Sequence, residues 1–156
     1  MKAATWGEIM RATYRVLAGL IAIGVVVQAM SIALAWFIVA KDIDGGLVFD
    51  KNSDGNIGHA THAIVGSIVI PLLAVLLLIV SFFAKVEGGI KWALYVFGLV
   101  ALQFALAAVS FSVPAVGALH GLNAFALLAV AGMAARRAAA PPAPAAAAEP
   151  TTEATA

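Results

Sequence analysis

Three histidines are the residues of this chain whose chemistry is most informative. His59 and His62 stand just before one long apolar run, and His120 stands near the start of another. Because a titratable side chain is costly in hydrocarbon, such residues are candidates for a functional site. Neutral imidazole is an axial ligand of haem iron, and it also binds zinc, copper, iron and nickel. The histidines therefore predict a haem or metal site, provided that the fold brings them together.

Four apolar runs must position these histidines. They cover residues 16–40, 63–84, 92–113 and 115–135, and none of them contains Asp, Glu, Lys or Arg. A helix needs about 20 apolar residues to cross a bilayer core. Of the 156 residues, 63% are hydrophobic and 11% are charged, whereas a soluble domain has about 25% charged residues. The sequence predicts an all-α, four-helix transmembrane bundle with up-down-up-down topology.

The basic residues predict the orientation of this bundle. An even number of spans places seven of them on one side: Lys2, Arg11, Arg15, Lys85, Lys91, Arg136 and Arg137. Only Lys41 and Lys51 lie on the other side, in the loop of residues 41–58. Because Lys and Arg are enriched in cytoplasmic loops, we expect both termini to be cytoplasmic, with the bundle in a bacterial plasma membrane.

The segments outside the bundle are short. Residues 1–15 are predicted to be a cytoplasmic or interfacial segment, and residues 16–137 form the transmembrane domain. Residues 138–156, rich in Ala and Pro, are predicted to be a disordered cytoplasmic tail. A cleaved signal peptide is the alternative for the first run, because Ala33-Leu34-Ala35 resembles a cleavage site. An uncleaved helix is favoured, since the apolar run continues past that site.

The second and fourth spans run in the same direction, so their first turns lie on the same side of the membrane. His62 and His120 could then face each other and ligate haem b, which is the preferred occupant. His59, three residues before His62, is a further candidate on the same helix face. Gly66, one turn after His62, and Gly121, beside His120, would leave room for a flat macrocycle.

An estimate of depth opposes this pairing. The helix from His62 to residue 84 would be about 33 Å long, and that from His120 to residue 135 about 22 Å. The two histidines are thus expected to differ in depth by about 10 Å, unless the second span tilts or bends at Pro71. A small metal ion and ordinary interfacial histidines remain the alternatives.

A resemblance supports the haem interpretation. The spacing His62-x-x-x-Gly66, the segment Leu119-His120-Gly121-Leu122-Asn123 and the closing Arg136-Arg137 resemble a family of small, uncharacterised four-span bacterial membrane proteins. Those proteins are similar in layout to one half of haem A synthase and, more loosely, to cytochrome b561-type bundles. The resemblance covers residues 16–137 and implies that paired histidines bind haem b near one membrane face. Since only one four-span half is present, it does not imply an enzymatic modification of haem.

These observations lead to one functional prediction and two alternatives. We expect an integral membrane protein that binds haem b for electron transfer or haem handling. Its partners would be membrane lipid and either a redox partner protein or a second copy of the chain. The alternatives are a cofactor-free structural or accessory subunit and a membrane protein with a histidine metal site. A net charge of +1 gives no case for nucleic acid, and the lack of cysteine excludes thiolate chemistry.

The loop before the second span contains a second motif. Asp50, Asn52 and Asp54, followed by Gly55, match the first positions of a calcium-binding loop. Thr61 stands where that motif requires a bidentate glutamate. A plain turn is the alternative, because Asp, Asn and Gly favour turns.

Three residues with side-chain amides lie within the spans: Gln28, Gln103 and Asn123. A buried amide in lipid requires a hydrogen-bond partner, so they are predicted to join neighbouring helices. Contact with a quinone or another substrate is the alternative. Because the spans contain no carboxylate, an ion pump or a proton-coupled transporter is disfavoured.

Overall fold

The computed structural model describes residues 4–140, and Lys2 and the predicted tail beyond Ala140 lie outside these residues. The elements are α1 (Trp6–Asp44), α2 (Ile57–Ile64), a π-helical turn (Val65–Val69), α3 (Ile70–Ser81), α4 (Gly89–Ser110) and α5 (Val116–Ala139). α2, the π-helical turn and α3 form one continuous helix, Ile57–Ser81. The described residues thus contain four helices that are long and apolar enough to cross a membrane. The predicted all-α fold with four spans is confirmed.

The first span is longer than its apolar run. α1 begins at a capping box in which Thr5 accepts from the Glu8 amide and the Glu8 carboxylate accepts from the Thr5 amide at 2.7 Å. The helix then continues for 39 residues to Asp44, so the segment before residue 16 extends the first span. Ala35, within the candidate cleavage site, is fully buried. The first helix is therefore an integral part of the bundle.

The four spans pack differently at the two ends of the bundle. We call the end near Thr5 and Ala140 the termini end, and the end near loop 45–56 the histidine end. α1 packs against the second span and α5, while α4 packs against α3 and α5. Among the described residues, the backbones of α2 and the π turn stay apart from those of α4 and α5. The second and third spans thus meet only at the termini end, and the histidine end is open between them.

The buried apolar core also belongs to the termini end. Its large members include Tyr14, Ile21, Leu77 and Val96, each less than 2% exposed. By contrast, residues 101–110 of α4 and 116–122 of α5 contain no buried side chain. The Tyr14 hydroxyl adds a hydrogen bond of 2.9 Å to the Gly89 carbonyl across this core. The half of the bundle near the termini is therefore the half that apolar packing holds together.

The π turn explains how the second span accommodates Pro71. A proline has no amide hydrogen, and its ring clashes with the carbonyl four residues earlier in an α-helix. Here the turn before it is widened, and the Ile70 amide donates to the Val65 carbonyl, five residues back. The span continues through the proline instead of ending there. The widened turn lies directly after α2, the segment that carries His62.

Candidate functional site

The structure brings His62 and His120 together. Their ring centroids are 6.4 Å apart, and the ring planes are inclined by 54°. The expected difference in depth is absent because the helices end elsewhere than the apolar runs do. The second span ends at Ser81 and the fourth at Ala139, so each extends 19 residues past its histidine (62 to 81 and 120 to 139). Measured along its helix axis, each histidine therefore lies about 28 Å from the helix end at the termini end.

Both imidazoles are held in the same way. His62 Nδ1 lies 3.2 Å from the Gln28 carbonyl oxygen, and His120 Nδ1 lies 3.2 Å from the Gln103 carbonyl oxygen. Because a carbonyl oxygen only accepts, Nδ1 must be the protonated nitrogen of each ring. The lone pair of a neutral ring is then on Nε2. Histidines that ligate metals are commonly fixed by such a bond from the other ring nitrogen.

His120 has additional support from its neighbours. The Gln103 side-chain amide donates to the His120 backbone carbonyl at 3.0 Å. The ring and the backbone of His120 are therefore both hydrogen-bonded to Gln103. The buried Asn123 in turn donates to Gln103 Oε1 and, at 2.9 Å, to the Leu99 carbonyl. Gln103 and Asn123 thus form hydrogen bonds between the third and fourth spans, as their positions in the sequence predict.

His62 is held by fewer contacts. The Gln28 carbonyl that accepts from its ring also accepts from the Ser31 hydroxyl at 3.0 Å. The Gln28 Nε2 atom is buried and has no hydrogen-bond partner within residues 4–140. A Cβ added at Gly66 would lie 2.7 Å from Gln28 Oε1. The absent side chain of Gly66 therefore makes room for the Gln28 amide, whereas a Cβ at Gly121 would meet nothing within 4 Å.

Gly58 sets the distance between α1 and α2, and the sequence analysis missed it. A Cβ there would lie 2.5 Å from the Ser31 carbonyl oxygen and 2.6 Å from the Ala35 amide nitrogen. Asn56 reinforces the contact by donating to the Ala35 carbonyl at 2.9 Å. Gly58 lies four residues before His62, and this spacing, which places it on the histidine face, is the signal that could have identified it.

His59 has a different environment from the other two histidines. Its Nδ1 accepts from the Asn56 amide at 3.3 Å, while Asn56 caps the first turn of α2. Because Nδ1 accepts, the proton of neutral His59 is on Nε2. Its ring lies edge-on to Trp36 at 5.6 Å and stacks near Phe49 at 6.5 Å. His59 therefore starts α2 and packs in an aromatic cluster, and the structure does not add it to the His62–His120 pair.

The candidate calcium loop forms a hydrogen-bonded turn. Asp50 Oδ1 accepts from the Asn52 amide at 2.8 Å, and the Asp50 amide donates to the Ser53 hydroxyl at 2.9 Å. Thr61 lies within α2. Across the described part of the chain, no group of three or more His, Cys, Asp or Glu residues could hold a metal ion. The geometry favours a turn, and calcium binding through Asp50, Asn52 and Asp54 stays a prediction.

Comparison with known proteins gives one match. Residues 48–110 are similar to a Family of unknown function (DUF6220), and this segment includes His59, His62 and Gln103. No curated protein and no solved structure is significantly similar to the chain. These comparisons therefore do not support the likeness to haem A synthase or cytochrome b561, which stays an interpretation of the sequence. The chain is a membrane protein with four apolar helices, similar over its middle part to a family whose function is unknown.

Proposed function

We propose that this protein binds haem b at the histidine end, between the second and fourth spans, for electron transfer or haem handling. The observation that carries the proposal is the His62–His120 pair, with both Nδ1 atoms bonded to backbone carbonyls. Each ring then presents an unprotonated Nε2, the form in which imidazole ligates iron.

The separation of the rings fits ligation of one metal from two sides. Metal–imidazole nitrogen bonds are about 2.0–2.1 Å long, and a ring nitrogen lies about 1.1 Å from its centroid. Two imidazoles on opposite sides of one metal therefore have centroids about 6.3 Å apart. The observed 6.4 Å is close to this value.

The number of available ligands favours haem over a bare metal ion. A structural zinc site takes four protein ligands and a catalytic one takes three. The described residues offer the two histidines but no cluster of three ligating side chains. Haem already carries four nitrogens that bind its iron, so His62 and His120 would be sufficient to hold it.

The open histidine end also suits a flat apolar ligand. Within residues 4–140, the backbone of α2 stays apart from those of α4 and α5, although the His62 ring approaches His120. The adjoining residues 101–110 and 116–122 contain no buried side chain. The apolar side chains between the α1–α2 pair and the α4–α5 pair would gain van der Waals contacts with a macrocycle. Its carboxylates would face the membrane surface, where the exposed Lys41 and Lys51 are the nearby basic residues in the sequence.

The haem proposal is tested by adding haem to the detergent-purified chain. We expect one haem per chain and a Soret band that is lost in both His62→Ala and His120→Ala. His59→Ala is the matched control and should keep the band, because His59 packs against Trp36 and Phe49 instead. If the protein carries no haem absorption after unbound haem has been removed, while its helical circular dichroism is intact, the cofactor-free accessory subunit is favoured.

The orientation of the chain is a separate proposal. The basic residues Arg11, Arg15, Lys85, Lys91, Arg136 and Arg137 all lie at the termini end, which supports a cytoplasmic position for that end in a bacterial plasma membrane. Because the chain has no cysteine, single cysteines can be introduced at Ser53 and at Glu87. On intact spheroplasts, a membrane-impermeant maleimide should label the Ser53 variant and not the Glu87 variant. The reverse pattern would overturn this orientation.

A partner protein is expected for a protein of this role. An electron-transfer role requires a donor and an acceptor, so we propose a redox partner protein or a second copy of this chain in the membrane. Copurification from gently solubilised membranes, followed by haem reduction with each copurifying protein, would test it. A haem-loaded chain that no membrane component reduces would favour haem handling over electron transfer.

A further inference from the structure

We infer that Gln103 is a positioning residue for His120 and that His62 has no equivalent, so that the two proposed ligands are held unequally. The significance of this difference rests on the proposed haem function. The hydrogen bonds themselves exist in the chain alone and can be tested without haem.

Gln103 holds His120 at two points. The Gln103 backbone carbonyl accepts from the His120 ring at 3.2 Å, and the Gln103 side-chain amide donates to the His120 backbone carbonyl at 3.0 Å. Asn123 fixes the Gln103 amide by donating to its oxygen, and it bonds the Leu99 carbonyl at the same time. Each atom of the Gln103 amide group therefore has a partner. A side chain fixed at both ends keeps the third and fourth spans in register, and with them the carbonyl that orients the His120 ring.

Gln28 occupies the matching position beside His62 but makes different contacts. Its carbonyl accepts from the His62 ring at the same distance, 3.2 Å. Its amide, however, fills the space above Gly66, and its Nε2 atom is buried without a partner in the described chain. The Ser31 hydroxyl shares the carbonyl that His62 uses. Only one hydrogen bond to a shared acceptor fixes the His62 ring.

The packing of the helices adds to this difference. His62 lies on α2, an eight-residue segment whose backbone packs against α1 and is followed by the π turn. His120 lies on α5, which packs along α1 and α4. A ring on the more weakly attached segment is the one that more easily turns away from a shared ligand. The structure thus assigns His120 as the fixed ligand and His62 as the displaceable one.

The test compares Gln103→Ala with the matched control Gln28→Ala. The full-length chain is labelled with ¹⁵N-histidine and studied in detergent without haem, where imidazole nitrogen shifts identify the protonated nitrogen. In the unsubstituted protein, His62 and His120 should both be protonated on Nδ1. Gln103→Ala should give His120 a mixture of tautomers and leave His62 unchanged. Both substitutions keep the backbone carbonyl that the ring uses. Gln28→Ala should leave both rings unchanged, because the Gln28 side-chain nitrogen bonds nothing within residues 4–140, whereas Gln103→Ala removes the side-chain bonds between the third and fourth spans.

Two outcomes would overturn the inference. One is an unchanged His120 tautomer in Gln103→Ala, and the other is an equal disturbance of His62 by Gln28→Ala. If Gln103→Ala loses its helical circular dichroism, Asn123→Ala replaces it, since it frees the Gln103 amide and leaves the residue present. The same tautomer shift at His120 is then expected, and its absence counts against the inference.

A second measurement separates this inference from the haem proposal. In haem titrations, Gln103→Ala should weaken binding by about 10–100-fold, the range typical of residues that orient metal ligands. Gln28→Ala should weaken binding less than Gln103→Ala does, since the Gln28 side chain makes no hydrogen bond to His62. If the chain binds no haem but the tautomer shift occurs, the proposed function fails and the positioning role stands. If haem binds equally well to Gln103→Ala and the tautomer is unchanged, the positioning role fails alone.

Discussion

The termini end and the histidine end of the bundle are built from different contacts. At the termini end, all four spans close around an apolar core that includes Tyr14 and Leu77. At the histidine end, polar bonds join the spans in two pairs, through His62 and Gln28 in one pair and His120 and Gln103 in the other. Between the pairs, the His62 and His120 rings approach each other, with their centroids 6.4 Å apart.

This difference indicates a division of labour within one small bundle. Helices in lipid associate through close packing and interhelical hydrogen bonds, because the hydrophobic effect does not drive them together. The termini end supplies the packing and is expected to carry most of the stability. The histidine end uses its hydrogen bonds to orient side chains within each pair, and the proposed haem would bind between the pairs. Substitutions at each end test whether stability and ligand binding are separate properties of the two ends.

The largest effect on stability is expected from Leu77→Ala, within the core of the termini end. Leu77 is fully buried, so truncation leaves a cavity. Such changes cost about 2–5 kcal/mol in soluble cores, and we expect the lower part of this range in a micelle. Thermal unfolding followed by circular dichroism measures the loss. At temperatures below the unfolding transition, the haem affinity should not change. A loss of haem affinity together with the loss of stability would show that the two ends are coupled.

The next effect is expected from Gly58→Ala, at the histidine end. The new Cβ would lie against the backbone of Ser31 and Ala35, which cannot give way as a flexible side chain could. α2 must move away from α1, at a cost of about 1–3 kcal/mol. Because α2 carries His62, we also expect weaker haem binding in an equilibrium titration.

Gly121→Ala is the matched control for that substitution. A Cβ at Gly121 meets nothing within 4 Å, so we expect unchanged or slightly higher stability, by up to about 1 kcal/mol. If Gly58→Ala were as well tolerated as Gly121→Ala, the close contact between α1 and α2 would not be required at the histidine end.

A smaller effect is expected from Tyr14→Phe. This substitution removes the hydrogen bond to the Gly89 carbonyl and leaves the aromatic ring in the core. The expected loss is about 0.5–1.5 kcal/mol in the free energy of unfolding, with no change in the haem spectrum. A changed Soret band in Tyr14→Phe would argue against the separation of the two ends.

The smallest effect is expected from calcium. Since the Asp50 carboxylate already accepts from Asn52, we expect the loop to keep the same protease sensitivity at calcium concentrations up to about 10 mM, above the range of extracellular sites. Protection at about 1 mM, abolished by Asp50→Asn, would instead establish the calcium site that the sequence motif predicts.

The sequence was sufficient for the number and class of the helices and for the approach of His62 to His120. Runs of uncharged residues identify membrane spans, and parallel spans bring their first turns to one side. The sequence was insufficient for the helix ends, which gave a false difference in depth of about 10 Å. Helix ends depend on turns such as the one after Ser81 and on continuation past Arg136 to Ala139, which hydropathy does not define.

The contacts that support the site could also not be predicted from the sequence. Gln103 and Gln28 are the same residue type at mid-span. Both the nitrogen and the oxygen of the Gln103 side-chain amide have hydrogen-bond partners, whereas the Gln28 nitrogen has none within residues 4–140. The difference depends on the residue across the interface, Asn123 for one and Gly66 for the other. His59 shares a helix with His62, but its position in the first turn makes it a capping residue. Such roles follow from tertiary neighbours and not from spacing along the chain.

Electron paramagnetic resonance of the haem-loaded ferric protein would show whether His62 and His120 both bind the haem iron. If His62 and His120 ligate one iron from opposite sides, the spectrum must be low-spin and six-coordinate. The low-spin signal should disappear in His120→Ala and persist in His59→Ala. A spectrum that is entirely high-spin in the unsubstituted protein, or a low-spin signal that survives His120→Ala, would contradict the account.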